Sequence, residues 1–251
     1  MRNYLVIFVL YFMSTSIFAD EPIALITKSR GNAKYRIYSE SKFRSNAQVN
    51  TPIFHGYRIK TKEKSFSQVV YLDDRSTVSA YPNTTITING KIENRMISKQ
   101  VDVNAGIVRV KVSNQLGSEF KLTTPHSELT CHKCDFWVIS DQEVGDRFYK
   151  ISGNGLVTNP SMIDTMELIN DSTIISLKDT EMEISRTSVN DNKYLELLMF
   201  DADEMSKISE EELVMRSDKV FEPHEAASNI VEIRLKNALN MERKIILTFT
   251  K

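Results

Sequence analysis

Two cysteines, Cys131 and Cys134, are separated by two residues, a spacing found in redox centres, in zinc sites and in local disulfides. His132 lies between them, and His126 lies five residues before Cys131. Zinc needs four ligands, and no second CxxC or HxxxH motif completes a recognisable set. A metal site built from these four residues is therefore the weaker interpretation, and no cofactor is expected.

The residues that flank the cysteines predict strands. Residues 120–124 alternate between apolar and polar side chains, and residues 136–139 (FWVI) are strand formers. A thioredoxin-like pair would instead place its first cysteine at the N-terminus of a helix, where the thiol pKa is lowered. A disulfide is favoured, while two free thiols and a redox centre stay as alternatives. Because residues three apart in a straight strand lie about 10 Å apart, the disulfide requires a bend at His132-Lys133.

The N-terminus has the pattern of an export signal. Arg2 precedes an apolar run at residues 4–13, and Ala19 offers a cleavage site for a signal peptidase. The run is too short for a membrane span, which needs about 20 residues. We expect residues 1–19 to be removed, which leaves a periplasmic or secreted protein without an integral membrane span. Export also favours a disulfide, because that compartment is oxidising.

Charge is distributed unevenly along the 251 residues. Residues 20–125 hold 17 Lys and Arg against 9 Asp and Glu, whereas residues 126–251 hold 14 against 24. The two halves could meet different partners or attract each other. The basic half shows no run of cations with interleaved aromatics, so nucleic-acid binding is not expected.

Short apolar segments separated by turn signals predict a mainly β protein with many short antiparallel strands, in a sandwich, a roll or a β-helix-like stack. The predicted turns include a hairpin turn at Asp73-Asp74-Arg75 and a turn at Asn89-Gly90, and the strand pattern continues around Asn104-Ala105-Gly106. The predicted β domain covers residues 20–190.

Residues 191–251 predict a small helical region that ends in a strand. Short helices are expected at residues 194–200 and 210–216, and Pro223 suits the start of a third. That third helix would carry an apolar stripe, and the last strand would follow at 244–249. The stripe consists of Ala227, Val231, Leu235, Ala238 and Leu239.

Five blocks in order give residues 56–138 a resemblance to the FecR domain, the sensor part of bacterial envelope signalling proteins. The blocks are GYRIKT from Gly56, SQVVYLDDRS at 67–76, PNTTITI from Pro82, VNAGIVRV at 103–110 and FKLTTP ending at Thr124-Pro125. The resemblance implies structural roles for nine residues, within a family core of about 56–150. They are Gly56, Asp74, Ser76, Pro82, Asn83, Gly106, Thr124, Pro125 and Phe136.

The chain departs from the family pattern at two turns. Where the family places Val and Thr around a Gly, this chain has Cys131 and Cys134 around Lys133, and a disulfide could hold the kink that the Gly implies. Asp74-Arg75-Ser76 also lacks the family's turn Gly. The family's cytoplasmic anti-sigma segment is not matched, so the resemblance implies an exported recognition domain rather than direct control of a sigma factor.

The sequence contains no GxSxG, HExxH, phosphate-loop or GxGxxG motif, so we do not expect an enzyme. The first hypothesis is a non-catalytic envelope module that recognises a protein or a glycan. The second is a thiol redox or metal-binding protein that uses Cys131 and Cys134. The third is an assembly protein that docks through its acidic C-terminal region.

Overall fold

The computed structural model describes residues 21–113, 115, 118–178, 180–198, 230–236 and 242–248, and the chain is mainly β. The strands are β1 Ala24–Arg30, β2 Ala33–Arg36, β3 Ser45–Asn46, β4 Pro52–Ile53, β5 Tyr57–Thr61, β6 Phe66–Tyr71, β7 Thr77–Ala80, β8 Thr85–Glu93, β9 Met96–Val112, β10 Phe120–Thr123, β11 Glu128–Cys131, β12 Cys134–Asp141, β13 Gly145–Gly153, β14 Leu156–Asn159, β15 Asp164–Glu167, β16 Ser172–Leu177, β17 Glu183–Arg186, β18 Ile230–Lys236 and β19 Glu242–Thr248. The described helix is α1, Val189–Leu198.

Strands β1 to β16 form two layers that share one long strand, β9. The first layer has the order β4-β1-β6-β7-β9-β12-β13-β16, and its neighbouring strands are antiparallel. The second has the order β3-β2-β5-β8-β9-β10-β11-β14-β15, in which β9 and β10 run parallel and the other pairs antiparallel. The predicted mainly β class is confirmed, and the two layers are of the sandwich or roll kind.

β9 passes from one layer to the other without reversing. Its first part pairs with β8 and β10, and its second part pairs with β7 and β12. Gly106 lies at the change of partners with φ of 111°, a conformation that disfavours any residue with a Cβ. The strand pattern expected around Asn104-Ala105-Gly106 therefore belongs to one strand, which Gly106 bends and does not end.

The turn predicted at Asn89-Gly90 is wrong. Strand β8 continues through both residues, and its hairpin with β9 closes at Asn94 and Arg95, where φ is 50° and 65°. A Cβ at position 90 would lie 2.8 Å from Cγ2 of Ile97. Gly90 therefore serves close packing inside the sheet, and the turn uses two non-glycine residues with positive φ.

The hairpin predicted around Asp73-Asp74-Arg75 is confirmed, since β6 and β7 pair on either side of it. Arg75 adopts φ of 61° at the turn. Asp74 closes the turn, because its carboxylate accepts the Ser76 backbone N–H and the Ser76 hydroxyl, both at 2.8 Å. These two bonds provide the local definition that a turn glycine would otherwise give.

The inward faces of the two layers enclose one apolar core. Tyr71 of β6 is fully buried and crosses the core, where its hydroxyl donates to the carbonyl of Asn89 in β8 at 3.0 Å. Burying one large apolar side chain contributes about 1.5–3 kcal/mol, so a core of this size holds the layers together. The largest fully buried core side chains besides Tyr71 are Phe120, Phe136, Phe148, Ile26, Ile53, Ile59, Ile86, Ile88 and Leu122.

The chain divides into two compact units, Met1–Ile184 and Ser185–Lys251. In the second unit α1 covers much of the helix predicted at 194–200, and Ser188 caps it by accepting the Asp191 N–H at 3.0 Å. None of the helices in the described ranges is long and apolar enough to cross a membrane.

The third predicted helix is wrong where the structure describes it, because Ile230–Lys236 is a strand paired with Glu242–Thr248. Val231 and Leu235 therefore lie in β18, and the strand predicted at 244–249 falls on β19. Residues 1–19, the helix predicted at 210–216, Pro223 and the other stripe residues, Ala227, Ala238 and Leu239, lie outside the described residues.

Candidate functional site

The two cysteines lie at a bend between β11 and β12. Their sulfur atoms are 2.04 Å apart, a disulfide distance, and their Cα atoms are 6.3 Å apart. The bend at His132-Lys133 brings the Cα atoms closer than a straight strand would allow. Gln115 holds the bend from outside by donating its backbone N–H to the His132 carbonyl at 3.0 Å. The pair is thus a cross-link within a strand-to-strand turn, and not a dithiol at a helix N-terminus.

The two histidines near the cysteines are not brought together. His132 lies in the disulfide turn with its Nε2 3.3 Å from Oε1 of Glu119. His126 lies in the turn before β11, with its Nε2 3.0 Å from the carbonyl of Gln142. The four-residue strand β11 separates them, and the bonded cysteines offer no thiolates. In the ranges that the structure describes, no group of three or more His, Cys, Asp and Glu is arranged to hold a metal ion.

An open pocket of about 460 Å³ lies against the disulfide turn. Cys131 forms part of its wall, and the polar residues that line it are Glu119, Thr130, His132, Lys133, Asn154 and Glu167. Gly153 and Gly155 also line it, and Gly153 packs so closely on the turn that an added Cβ would lie 2.1 Å from the Lys133 carbonyl oxygen. The pocket could admit a small polar group or a peptide segment next to the disulfide.

A buried lysine that the sequence analysis missed fixes the family's turn motif. The Lys99 ammonium lies 2.7 Å from Oδ2 of Asp73 and 3.2 Å from Oδ2 of Asp74, and its side chain is 1% exposed. It also donates to the carbonyl of Ile97 at 3.1 Å. Lys99 is an inward-facing residue of β9, so strand alternation could have identified it as a buried charge that needs a partner.

The same ion cluster changes the acidity of Asp74. Burial raises the pKa of Asp74, but the N–H and hydroxyl of Ser76 and the ammonium of Lys99 outweigh that effect, so the pKa is lowered. Gln115 adds a further hydrogen bond to Asp74 Oδ2 at 2.6 Å. The motif residues Asp74 and Ser76 therefore anchor the β6–β7 turn on β9.

The motif residues between β7 and β9 also support the fold. Asn83 follows Pro82 and adopts φ of 56°, which sets the turn before β8. Thr84 then donates its hydroxyl to the Ile107 carbonyl at 3.1 Å and accepts the Ile107 N–H at 2.9 Å. This double contact requires Gly106, because a Cβ there would lie 2.4 Å from Oγ1 of Thr84.

The Thr124-Pro125 motif forms a hydroxyl-lined turn over a buried carboxylate, Asp146. Thr124 donates its hydroxyl to Asp146 Oδ2 at 2.5 Å and accepts the Ser127 N–H at 2.9 Å. Burial raises the pKa of Asp146, and the hydroxyls of Ser140, Thr124 and Ser127 together with His126 oppose the rise without cancelling it. No sequence motif marks Asp146, which packs against the turn from β13.

The remaining motif residues, Gly56 and Phe136, also have structural positions. Gly56 has φ of 77° and donates its N–H to the Ile88 carbonyl at 2.9 Å, just before β5. Phe136 is 1% exposed and belongs to the core. On the other face of β12, Arg109 binds the Asp135 carboxylate through Nε at 2.9 Å and Nη2 at 2.8 Å. This hydrogen-bonded pairing raises the pKa of Arg109, so the pair is a fixed ion pair of the sheet.

Comparison with known proteins identifies a family for part of the chain. Residues 57–146 match the family model described as FecR protein. No curated protein matches the chain.

Two crystal structures of a "putative anti-sigma factor" from Parabacteroides distasonis ATCC 8503 are similar to the chain. They were determined at 2.50 Å and 1.65 Å resolution. They show 15% and 14% sequence identity and TM-scores of 0.48 and 0.47. Each alignment covers 77% of this chain and 99% of the solved one.

The FecR match spans the turn of Asp74 and Ser76, the Gly106 bend and the Thr124 turn. The expected resemblance is thereby confirmed over residues 57–146. Residues 57–146 of this chain are similar to the FecR protein family.

Proposed function

We propose that this chain is a non-catalytic sensing module of the bacterial envelope, exported to the periplasm or beyond, which recognises a protein or a glycan. The observation that carries the proposal is the FecR match over residues 57–146, because that family has a regulatory role and not a catalytic one. The motif residues support the proposal, since Asp74, Ser76, Thr84 and Thr124 are bound to neighbouring strands. These residues stabilise the fold, so we expect recognition to depend on the exposed surfaces of the domain.

Export can be tested by asking whether the chain leaves the cytoplasm. Intact host cells would be treated with a membrane-impermeant amine reagent after permeabilising only the outer layer of the envelope. We expect the full chain to be labelled, and a variant that lacks residues 2–19 to be protected. A full chain that stays protected until the inner membrane is broken would contradict the proposal.

A thiol redox function is the second candidate, because a pocket of about 460 Å³ lies directly beside the disulfide. A catalytic disulfide would be reduced in mild glutathione buffers, whereas a structural one resists them. The full chain would be equilibrated across glutathione buffers, alkylated, and its thiols counted by mass. Resistance at about −200 mV would support the structural role, and half reduction near that potential would favour redox chemistry.

A further inference from the structure

The outward face of β2 and β5 carries four cations in two directly opposed pairs. Lys34 pairs with Lys60 in the register of the two strands, and Arg36 pairs with Arg58. All four point away from the core, because the alternate residues Tyr35 and Ile59 pack into it. Like charges directly opposite each other destabilise a sheet, whereas pairs of opposite charge stabilise it. The two cation pairs therefore lower the stability of the β2–β5 pairing.

Carboxylates do not pair with these cations in the part of the chain that the structure describes. Among the residues that the structure describes, none of the four forms an ion pair with Asp or Glu. The surrounding stretch from residue 30 to 64 holds nine Lys and Arg against two Glu. We define the basic face as Lys34, Arg36, Arg58 and Lys60.

One aromatic ring holds part of the basic face in place. The guanidinium of Arg36 lies 5.3 Å from the ring centre of Phe43, and the ammonium of Lys60 lies 6.0 Å from it. Arg36 also donates through Nη1 to the Glu40 carbonyl. Two of the four cations are thus positioned before any ligand arrives, which lowers the entropy lost on binding.

A second aromatic side chain extends the basic face at one end. Tyr38 follows Arg36 by two residues and is 81% exposed. Its ring rests over Gly56, where an added Cβ would lie 3.4 Å from Cδ2 of Tyr38. An exposed aromatic ring beside fixed cations offers a surface on which a sugar ring can stack.

We propose that the basic face and Tyr38 bind an anionic polysaccharide, which deepens the proposed function by naming the class of ligand and rests on it. Cations on alternate residues lie about 7 Å apart along a strand and about 5 Å apart across it, forming a flat array suited to a polymer with regularly repeated anions. A protein partner would need an exposed apolar anchor at the centre of the face. A single-stranded nucleic acid would need several stacking aromatics, and Tyr38 is one exposed ring.

The probe is fluorescein-labelled hexagalacturonate, with maltohexaose as its neutral counterpart, titrated with the full chain at 50 and 200 mM NaCl. We expect Lys34→Gln/Lys60→Gln to weaken hexagalacturonate binding at least about tenfold and to flatten its salt dependence, because counter-ion release is lost. Tyr38→Ala should weaken binding about threefold to tenfold with the salt dependence unchanged, because the lost contact is not ionic.

The matched control, Lys91→Gln/Lys111→Gln, removes the same net charge from exposed positions elsewhere and should change affinity less than about twofold. The melting temperature of Lys34→Gln/Lys60→Gln should be equal to or above that of the parent chain, since a like-charge pair is removed. A binding loss that came with a lower melting temperature would mean a structural role and would overturn the inference.

Other outcomes would also overturn it. Absence of hexagalacturonate binding, an equal loss in the control variant, or equally tight binding of hexathymidylate or of phosphatidylglycerol vesicles would each do so. The labelling experiment separates this inference from the proposed function. If the chain is exported but does not bind the polysaccharide, only the proposed ligand class is contradicted. If the chain stays in the cytoplasm, the proposed function itself is contradicted.

Discussion

At the scale of single residues, the charged and hydroxyl side chains in the family motif stabilise turns. Asp74 and Ser76 could be identified from the family pattern, and strand alternation could mark Lys99 as buried. The partners of Lys99 and Asp146 could not be identified, because they lie more than 20 residues away in sequence. A sequence pattern within one segment predicts local turns well. It does not predict which strand carries the residue of opposite charge, because that depends on the order of strands in the layers.

The Lys99 cluster leads to a prediction about stability. Replacing Lys99 by Met keeps its apolar stem but leaves Asp73 and Asp74 beside each other without a cation. We expect the free energy of unfolding to fall by about 2–4 kcal/mol in urea titrations, slightly below the cost for a fully buried pair. Lys91→Met is the control, because its pair with Glu93 is exposed and should change nothing measurable. Equal effects of the two variants would contradict the assigned role.

The disulfide leads to a second prediction at this scale. Replacing Cys131 and Cys134 by Ser removes a cross-link that closes a very short loop. The chain-entropy relation for such a loop gives a loss of about 2 kcal/mol in the free energy of unfolding. Reduction of the parent chain should produce the same loss, and reductant should not affect the double variant. If reductant does not change the free energy of unfolding of the parent chain, no disulfide forms.

Asp146 should make the free energy of unfolding depend on pH. Its pKa in the folded chain is raised above the ordinary value of 3.8, so the stability it contributes is present below about pH 4 and is lost as the pH rises through the raised pKa. The difference in free energy of unfolding between the parent chain and Asp146→Asn should therefore shift in favour of the variant from pH 3.5 to 7.

Urea titrations at each pH, repeated in the His126→Gln background, would test this expectation. That background matters because a positive charge on His126 lowers the pKa of Asp146, and the His126→Gln variant removes that influence. A difference that stays constant with pH, or that moves in favour of the parent chain, would contradict it.

At the scale of elements, the sequence predicted most strands and mislocated one turn for a physical reason. Asn89-Gly90 carries a turn signal, but Gly90 is needed where the side chain of Ile97 approaches the strand. The actual turn at Asn94-Arg95 has no glycine to mark it. Likewise, apolar residues at helical spacing predicted a helix, but Ile230–Lys236 forms strand β18. Pairing with β19 outweighs the weak helical periodicity of this segment.

Gly106 provides the test at this scale. A Cβ at residue 106 would meet Thr84 at 2.4 Å and would require φ of 111°. We expect Gly106→Ala to lower the free energy of unfolding by about 2–4 kcal/mol. Gly155→Ala should be nearly neutral, since its nearest contact is an ordinary 3.4 Å. Similar melting temperatures for the two variants would contradict the bend assigned to Gly106.

At the scale of the whole molecule, the structure shows where part of the uneven charge of the sequence lies. Part of the excess positive charge in residues 20–125 lies on the outward face of β2 and β5, where the cations oppose each other across the strands. Composition alone could not reveal this face, because Lys34 and Lys60 are 26 residues apart and become neighbours through the β2–β5 pairing. A surface of this kind suits a module that recognises an anionic envelope component.

The most direct test of the proposal that this chain is an exported, non-catalytic binding module is the mass of the protein purified from the envelope of its own host, measured under denaturing and native conditions. The denatured mass should lack residues 1–19 and should be lower by the two hydrogens of an oxidised cysteine pair. The native mass should be higher by a bound partner or glycan. An uncleaved, reduced chain, or one that carries zinc and no ligand, would contradict the central claim.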